Sequence, residues 1–149
     1  MREQLFDDGV FWAGEGENHD LLKVNTWAHF APLFAGLYTK EEAEEVVTKH
    51  FHNKDSFHSS YGIRTVSQQE PSYRAAGFWR GPIWISPHWF IYQGLKDYGF
   101  ESEASWIREV SRKLIEKNGF REYFNPETGK AYGAHNFTWG TLVLDMLES

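Results

Sequence analysis

The sequence predicts an all-α fold in which inner and outer helices alternate, as in part of a helical-hairpin barrel. Two observations carry this. Segments with helical spacing alternate between apolar on nearly every side and striped on one face, and the connections between them alternate between short and long. Such a succession describes two concentric layers, whereas an ordinary four-helix bundle would repeat one stripe on every helix. At 149 residues the chain is expected to form a single domain, 1–149.

About five helices are predicted. Residues 24–38 place Trp27, Phe30, Ala31, Phe34, Leu37 and Tyr38 at helical spacing with almost no charge, so they read as a buried helix that Pro32 either kinks or starts. Residues 39–51 open with a capping box, Thr39 and Glu42, and show a narrow stripe of Ala43, Val46, Val47 and Phe51 against a charged face. Residues 82–99 start with Pro82 at a natural first-turn position, are apolar nearly all round and stop at Gly99, with Pro87 implying a bend or a later start. Residues 102–119 carry Ala104, Ile107, Ser111, Leu114 and Ile115 on one face and end at Gly119. Residues 137–149 follow a candidate cap, Asn136, and read as buried.

Passages from an inner to an outer helix are short, Tyr38 to Thr39 and Gly99 to Ser102, while those from outer to inner, 52–81 and 120–136, are long. The long loops must open at one end, and the N-terminal stretch to about residue 23 is expected there too. Long ordered loops on a rigid scaffold are where binding and catalysis concentrate.

Composition narrows the function. Net charge is −6 without a basic stripe, which argues against nucleic acid as a partner. No apolar run is long enough to span a membrane and no signal peptide opens the chain, so a cytoplasmic location is expected. There is no Cys. His50, His52 and His58 come closest to a metal cluster, yet no carboxylate joins them at ligand spacing, and neither a metal nor a cofactor is expected. The 7 Trp, 7 Tyr and 12 Phe exceed what core packing alone accounts for, and flat apolar rings beside Arg, His and carboxylates suit sugars.

Three blocks carry a resemblance: Trp79, Arg80, Gly81, Pro82 and Trp84; then Glu122, Tyr123, Phe124, Pro126, Thr128 and Gly129; then Phe137, Thr138 and Trp139. In this order they resemble the C-terminal part of the (α/α)6-barrel glycoside hydrolases, the group of processing α-glucosidase I, bacterial α-glucosidases and mannosylglycerate or glucosylglycerate hydrolases. Trehalases and glycogen-debranching glucosidases are more distant relatives. The resemblance extends weakly upstream through residues 29–47, and it implies a partial (α/α)6 barrel, since a closed ring needs more hairpins than this chain supplies.

The family hydrolyses α-glycosidic bonds with inversion, which takes a neutral acid at the leaving oxygen and an ionised base across the sugar. The resemblance makes Glu122 the base, with Arg121 or Arg80 expected to keep it ionised. It assigns Trp79, Arg80, Gly81, Trp84, Tyr123, His135 and Trp139 to the sugar, although Trp84 starts an inner helix and has a strong packing alternative. The family's acid is an Asp in an earlier barrel loop. Asp7, Asp8, Glu15, Glu17 and Asp20 do not stand in that motif and read as solvated, so the acid is expected outside this chain. The alternative is a non-catalytic carbohydrate-binding or self-associating remnant. Uncovered inner-helix flanks would then favour a homo-oligomer or a complementing barrel half.

Overall fold

In the computed structural model, which describes residues 2–149, the chain begins with one helical turn, α1 (Arg2–Leu5). Two antiparallel ribbons follow, β1 (Phe6–Asp7) with β2 (Val10–Phe11) and β3 (Ala13–Glu15) with β4 (Asp20–Leu22). The single helix predicted over 24–38 is a correction: a 3-10 turn, Trp27–His29, leads into a one-turn helix, α2 (Ala31–Phe34). Pro32 lies in the first turn, where a missing N–H costs nothing, so it starts the helix, and the chain leaves helical geometry at Gly36.

Helix α3 (Lys40–Val46) keeps its predicted cap: Thr39 Oγ1 accepts from the Glu42 N–H, and the Glu42 carboxylate accepts from the Thr39 N–H at 2.8 Å. It runs into a π-turn, Val47–Phe51, and a third ribbon, β5 (His58–Ser59) with β6 (Gly62–Ile63), follows. The two long helices are α4 (Ile85–Asp97) and α5 (Glu101–Asn118), which match the predicted segments closely. Helix α4 starts three residues after Pro82, because Ile83 is held extended in a bridge to Phe124. Pro87 then falls at the third helical position, where its nitrogen has no partner to lose. A fourth ribbon, β7 (Arg121–Phe124) with β8 (Ala131–His135), precedes a 3-10 turn, Thr138–Thr141, and the last helix, α6 (Leu142–Glu148).

The all-α expectation therefore needs amending: helices form the scaffold, and the loops between them carry four two-stranded antiparallel ribbons. Strands of two to five residues satisfy their hydrogen bonds locally and leave too little alternation to be read from hydrophobic spacing.

Helix α4 is the axis of the core. Its Ile91, Tyr92 and Leu95 are buried with Ala104, Ile107 and Leu114 of α5 and with Val143 and Met146 of α6. Gly94 lets α2 approach, since a Cβ there would stand 2.6 Å from the Leu33 side chain. Helix α6 is less covered than predicted, with Leu144 and Leu147 about half exposed, and Phe34 and Leu37, in and just after α2, are similarly exposed.

The two long loops and the start of the first inner segment do meet at one end. The Thr65 carbonyl accepts from the Trp27 N–H, the Asn25 carbonyl from Ser67, and Thr65 Oγ1 donates to the Pro82 carbonyl, while Ile83 pairs with Phe124 on both sides. The N-terminal segment is a second correction. Phe6 and Phe11 pack edge-on against Tyr38, and the Arg2 guanidinium donates to the Leu37 carbonyl, so residues 2–11 lie by the short α2–α3 turn and not at the loop end. Rings gathered around a buried Tyr38 outweigh the proximity in sequence that suggested otherwise.

Candidate active site

The Ile83–Phe124 bridge explains how two of the three sequence blocks meet, for it sets Trp84 beside Tyr123. A column of four rings results. Trp79 stacks on Trp84 at 3.9 Å and 9°, Trp84 on Tyr123 at 5.3 Å and 18°, and Tyr123 on Tyr132 at 5.7 Å and 17°. Phe78 meets Trp79, Trp84 and Tyr123 edge-on. Trp84 is 1% exposed and its indole N–H donates to the Phe78 carbonyl at 3.0 Å. With both faces covered it cannot stack on a sugar, which corrects its assignment as a contact; the packing alternative holds. Tyr123 is likewise covered on both faces and acts as a spacer in the column.

Trp79 and Trp139 are differently placed. Together with Trp27, Ser86, Trp89 and Phe90 they line an open cavity of about 500 Å³ between the starts of the inner helices. Trp139 is 43% exposed, and the wall it shares with Trp79 is mainly apolar. Arg80 is exposed, its backbone held by Arg74 and Gly77, and its guanidinium has no ion-pair partner among the described residues. Gly81 is buried under the Tyr73 ring, its N–H donating to Thr65 Oγ1 at 3.1 Å, so its close approach is to the protein itself. His135 is exposed at the end of β8, opposite Arg121.

Glu122 sits at an irregularity in the β7–β8 ribbon. Arg121 pairs with His135 and Tyr123 with Tyr132, so Glu122 alone faces two residues, Gly133 and Ala134, which is a β-bulge. Gly133 has φ of 71°, and a Cβ there would come within 2.2 Å of Glu122 Oε2. Only glycine accommodates both demands. The Ala134 N–H donates to Glu122 Oε2 at 2.9 Å. The expectation that Arg121 or Arg80 pairs with this carboxylate is corrected. Arg121 Nη2 donates instead to the Gly133 carbonyl at 2.9 Å, its Nε is buried without a partner among the described residues, and no ion pair of Glu122 is formed there. Adjacent residues of a strand point to opposite faces, so sequence neighbours are poor candidates for an ion pair.

Under the same hairpin lies a polar knot that spacing did not reveal. Glu127 Oε1 accepts from Arg64 Nη2 at 3.1 Å and from the Tyr73 hydroxyl at 2.7 Å. Burial pushes the Glu127 carboxyl up, but the Tyr73 and Arg64 hydrogen bonds outweigh it and hold the carboxyl below its ordinary range. Burial, then the bond to Glu127, pushes the Tyr73 hydroxyl up to about 12. The knot ties residues 68–81 to the turn at Asn125–Lys130, where Asn125 Oδ1 accepts from the Glu127 and Thr128 N–H groups. Gly133 was also missed, although a Gly inside a strand-like run is itself a bulge signal.

The acids of the N-terminal loop do not gather here. Asp7 pairs with Lys23 at 2.5 Å, Glu15 and Asp20 face each other across β3–β4, and Asp8 and Glu17 are exposed. Among the described residues no group of three or more His, Asp or Glu stands close enough to hold a metal ion; His52 pairs with Glu103 and His58 stacks on Trp106.

Residues 1–140 match the family model described as the mannosylglycerate hydrolase MGH1-like glycoside hydrolase domain. The chain is 33% identical over 143 residues to a mannosylglycerate hydrolase of Thermus thermophilus, covering 95% of this chain and 34% of that protein. A crystal structure of the GH63 mannosylglycerate hydrolase from Thermus thermophilus in complex with glucose superposes with a TM-score of 0.89 at 29% identity, over 99% of this chain and 37% of that one. Neutral trehalase Nth1 from Saccharomyces cerevisiae, at TM-score 0.70 and 18% identity, shares the fold over 99% of this chain and 28% of that one. Both structures are of the α/α-barrel class, and the chain spans about a third of the length of the mannosylglycerate hydrolases it matches.

Proposed function

This chain belongs to the mannosylglycerate hydrolase MGH1-like glycoside hydrolase family, and from that premise we propose that it carries the general base, Glu122, of an inverting hydrolysis of an α-glycosidic bond, with the general acid an Asp outside these residues. The observation that carries this is the state of the carboxylate: one oxygen is anchored by the Ala134 N–H and the other has no partner among the described residues. In the reaction the free oxygen takes a proton from water as that water attacks the anomeric carbon from the face opposite the leaving group. The glycosidic C–O bond breaks, and the leaving oxygen takes its proton from the acid. The two carboxyl groups of such a pair stand roughly 6.5–9.5 Å apart, leaving room for the water.

Trp79 and Trp139 are the sugar-stacking faces, since they line the open wall, with Arg80 and His135 as exposed polar groups for hydroxyls. The family name and the glucose-bound relative support an α-hexoside as substrate class. The half-exposed Phe34, Leu37, Leu144 and Leu147 favour a complementing barrel portion or a second copy against the flanks of α4. The same aromatic wall would serve a non-catalytic carbohydrate-binding module.

A glycosyl fluoride separates these readings, because fluoride leaves without being protonated. The chain should hydrolyse α-glucosyl or α-mannosyl fluoride while leaving the matching O-glycosides intact. Equal turnover of both would put the acid inside the chain. Sugar binding by calorimetry without turnover of either would favour the binding module, and a stable monomer in light scattering would count against the association.

A further inference from the structure

We propose that Arg121, Gly133 and Ala134 act together as a positioning clamp that fixes the orientation of the Glu122 carboxylate and leaves Oε1 as its basic oxygen. The inference rests on the reading of Glu122 as the base, but its geometric content stands apart from it. The bulge opposes Glu122 with two residues of β8, so the peptide between Gly133 and Ala134 turns toward the side chain instead of joining the ladder. That one peptide is held at both ends. Its N–H, on Ala134, donates to Glu122 Oε2 at 2.9 Å, and its carbonyl, on Gly133, accepts from Arg121 Nη2 at 2.9 Å. Residues 121 and 122 thus reach across the ribbon and grip opposite ends of the same dipole. The Arg121 bond polarises the peptide in the sense that strengthens its N–H as a donor.

The missing Cβ of Gly133 is the third part. The carboxylate rests where that atom would be, 2.2 Å from Oε2 and 2.9 Å from Cδ, so any side chain at 133 must push the carboxylate off the Ala134 N–H. A charged acceptor held by a backbone N–H is a strong, directional contact, and it immobilises the group. Glu122 Oε1 has no hydrogen-bond partner among the described residues, which makes it the oxygen that meets water.

The test has two readouts on the whole chain. In the first, the NMR signal of the Ala134 amide proton reports the clamp whether or not the chain turns over. Wild type should show it shifted downfield and slow to exchange; Gly133→Ala, Glu122→Ala and Arg121→Met should each move it upfield and speed its exchange, and Arg121→Lys should restore most of the Arg121→Met change. In the second, with an α-glycosyl fluoride, Gly133→Ala should lower kcat by about 10²-fold, the scale of a carboxylate misplaced by an ångström. KM and sugar affinity should stay within about twofold of wild type, where a merely structural lesion would degrade both. An Ala134 amide unmoved in Gly133→Ala, or a Gly133→Ala chain with wild-type kcat, overturns the inference. If instead Glu122→Gln turns over like wild type while the amide signal behaves as described, the clamp stands and the assignment of the base fails.

Discussion

The α4–α5 pair and the β7–β8 ribbon pack against one another but are made in opposite ways. The helices meet through Ile91, Leu95, Ala104, Ile107 and Leu114, all buried, with His88 and Ser111 as a single polar contact at 2.8 Å. Contacts of this kind are non-directional and numerous, so they supply stability and tolerate small errors of geometry. The ribbon holds its shape with few atoms: one bulge, two hydrogen bonds to one peptide, a ring column and the Glu127 knot. Directional contacts supply position. The comparison teaches that stability and activity should be separable by mutation.

Glu122→Gln probes the ribbon and should have the largest effect. It removes the basic charge while keeping the shape, and turnover of an α-glycosyl fluoride should fall by roughly 10²–10⁴-fold, the usual contribution of a general base, with the thermal midpoint within a degree or two. Trp84→Ala probes the joint between the regions, because the ring is buried yet sits in the column. Denaturant unfolding should show a loss of about 3–5 kcal/mol. A small loss would mean that the column is not a structural element, and the comparison would break.

Acid titration acts on the scaffold. Burial holds His29 and His88 down to about 4; the Phe11 carbonyl beside His29 Nδ1 opposes this only in part, whereas at His88 the Ile63 N–H donates to Nε2 at 2.9 Å and favours the neutral ring. Both are therefore neutral in the folded chain near pH 7. The unfolded chain takes up these protons near its ordinary value of about 6.5, so their stabilising effect is complete above that value and is lost as pH falls toward 4. Unfolding in urea should show stability dropping by about 5 kcal/mol between pH 7 and pH 4.5, about half from each ring. A flat profile would show that these rings are not held neutral by burial. Thr39→Ala removes the α3 cap and should cost about 1 kcal/mol in the same assay without changing sugar affinity, the smallest of these effects.

The same contrast decides what could be read from the residues. The α3, α4 and α5 segments were legible because two or more turns of spacing agree with a boundary signal in each: the Thr39–Glu42 capping box for α3, Pro82 and Gly99 for α4, and Gly119 for α5. The convergence of the loops followed from their lengths. The helix over 24–38 was not legible, since apolar spacing alone does not distinguish a long helix from a 3-10 turn and one helical turn broken at Gly36. Nor was the N-terminal ribbon's place beside Tyr38, which depends on ring contacts across more than twenty residues. At the site, Glu122, Trp79 and Trp139 came from ordered blocks, and the bulge that orients Glu122 did not. Arg121 or Arg80 was expected to keep it ionised, but the strand turns Arg121 to the Gly133 carbonyl and Arg80 lies exposed without an ion pair among the described residues.

The most direct measurement on the central claim is the anomeric form of the first product. When an α-glycosyl fluoride is hydrolysed in an NMR tube, a base at Glu122 working through water should release the β-anomer before mutarotation, and Glu122→Gln should release none above background. First formation of the α-anomer, or an unchanged rate in Glu122→Gln, would contradict the account.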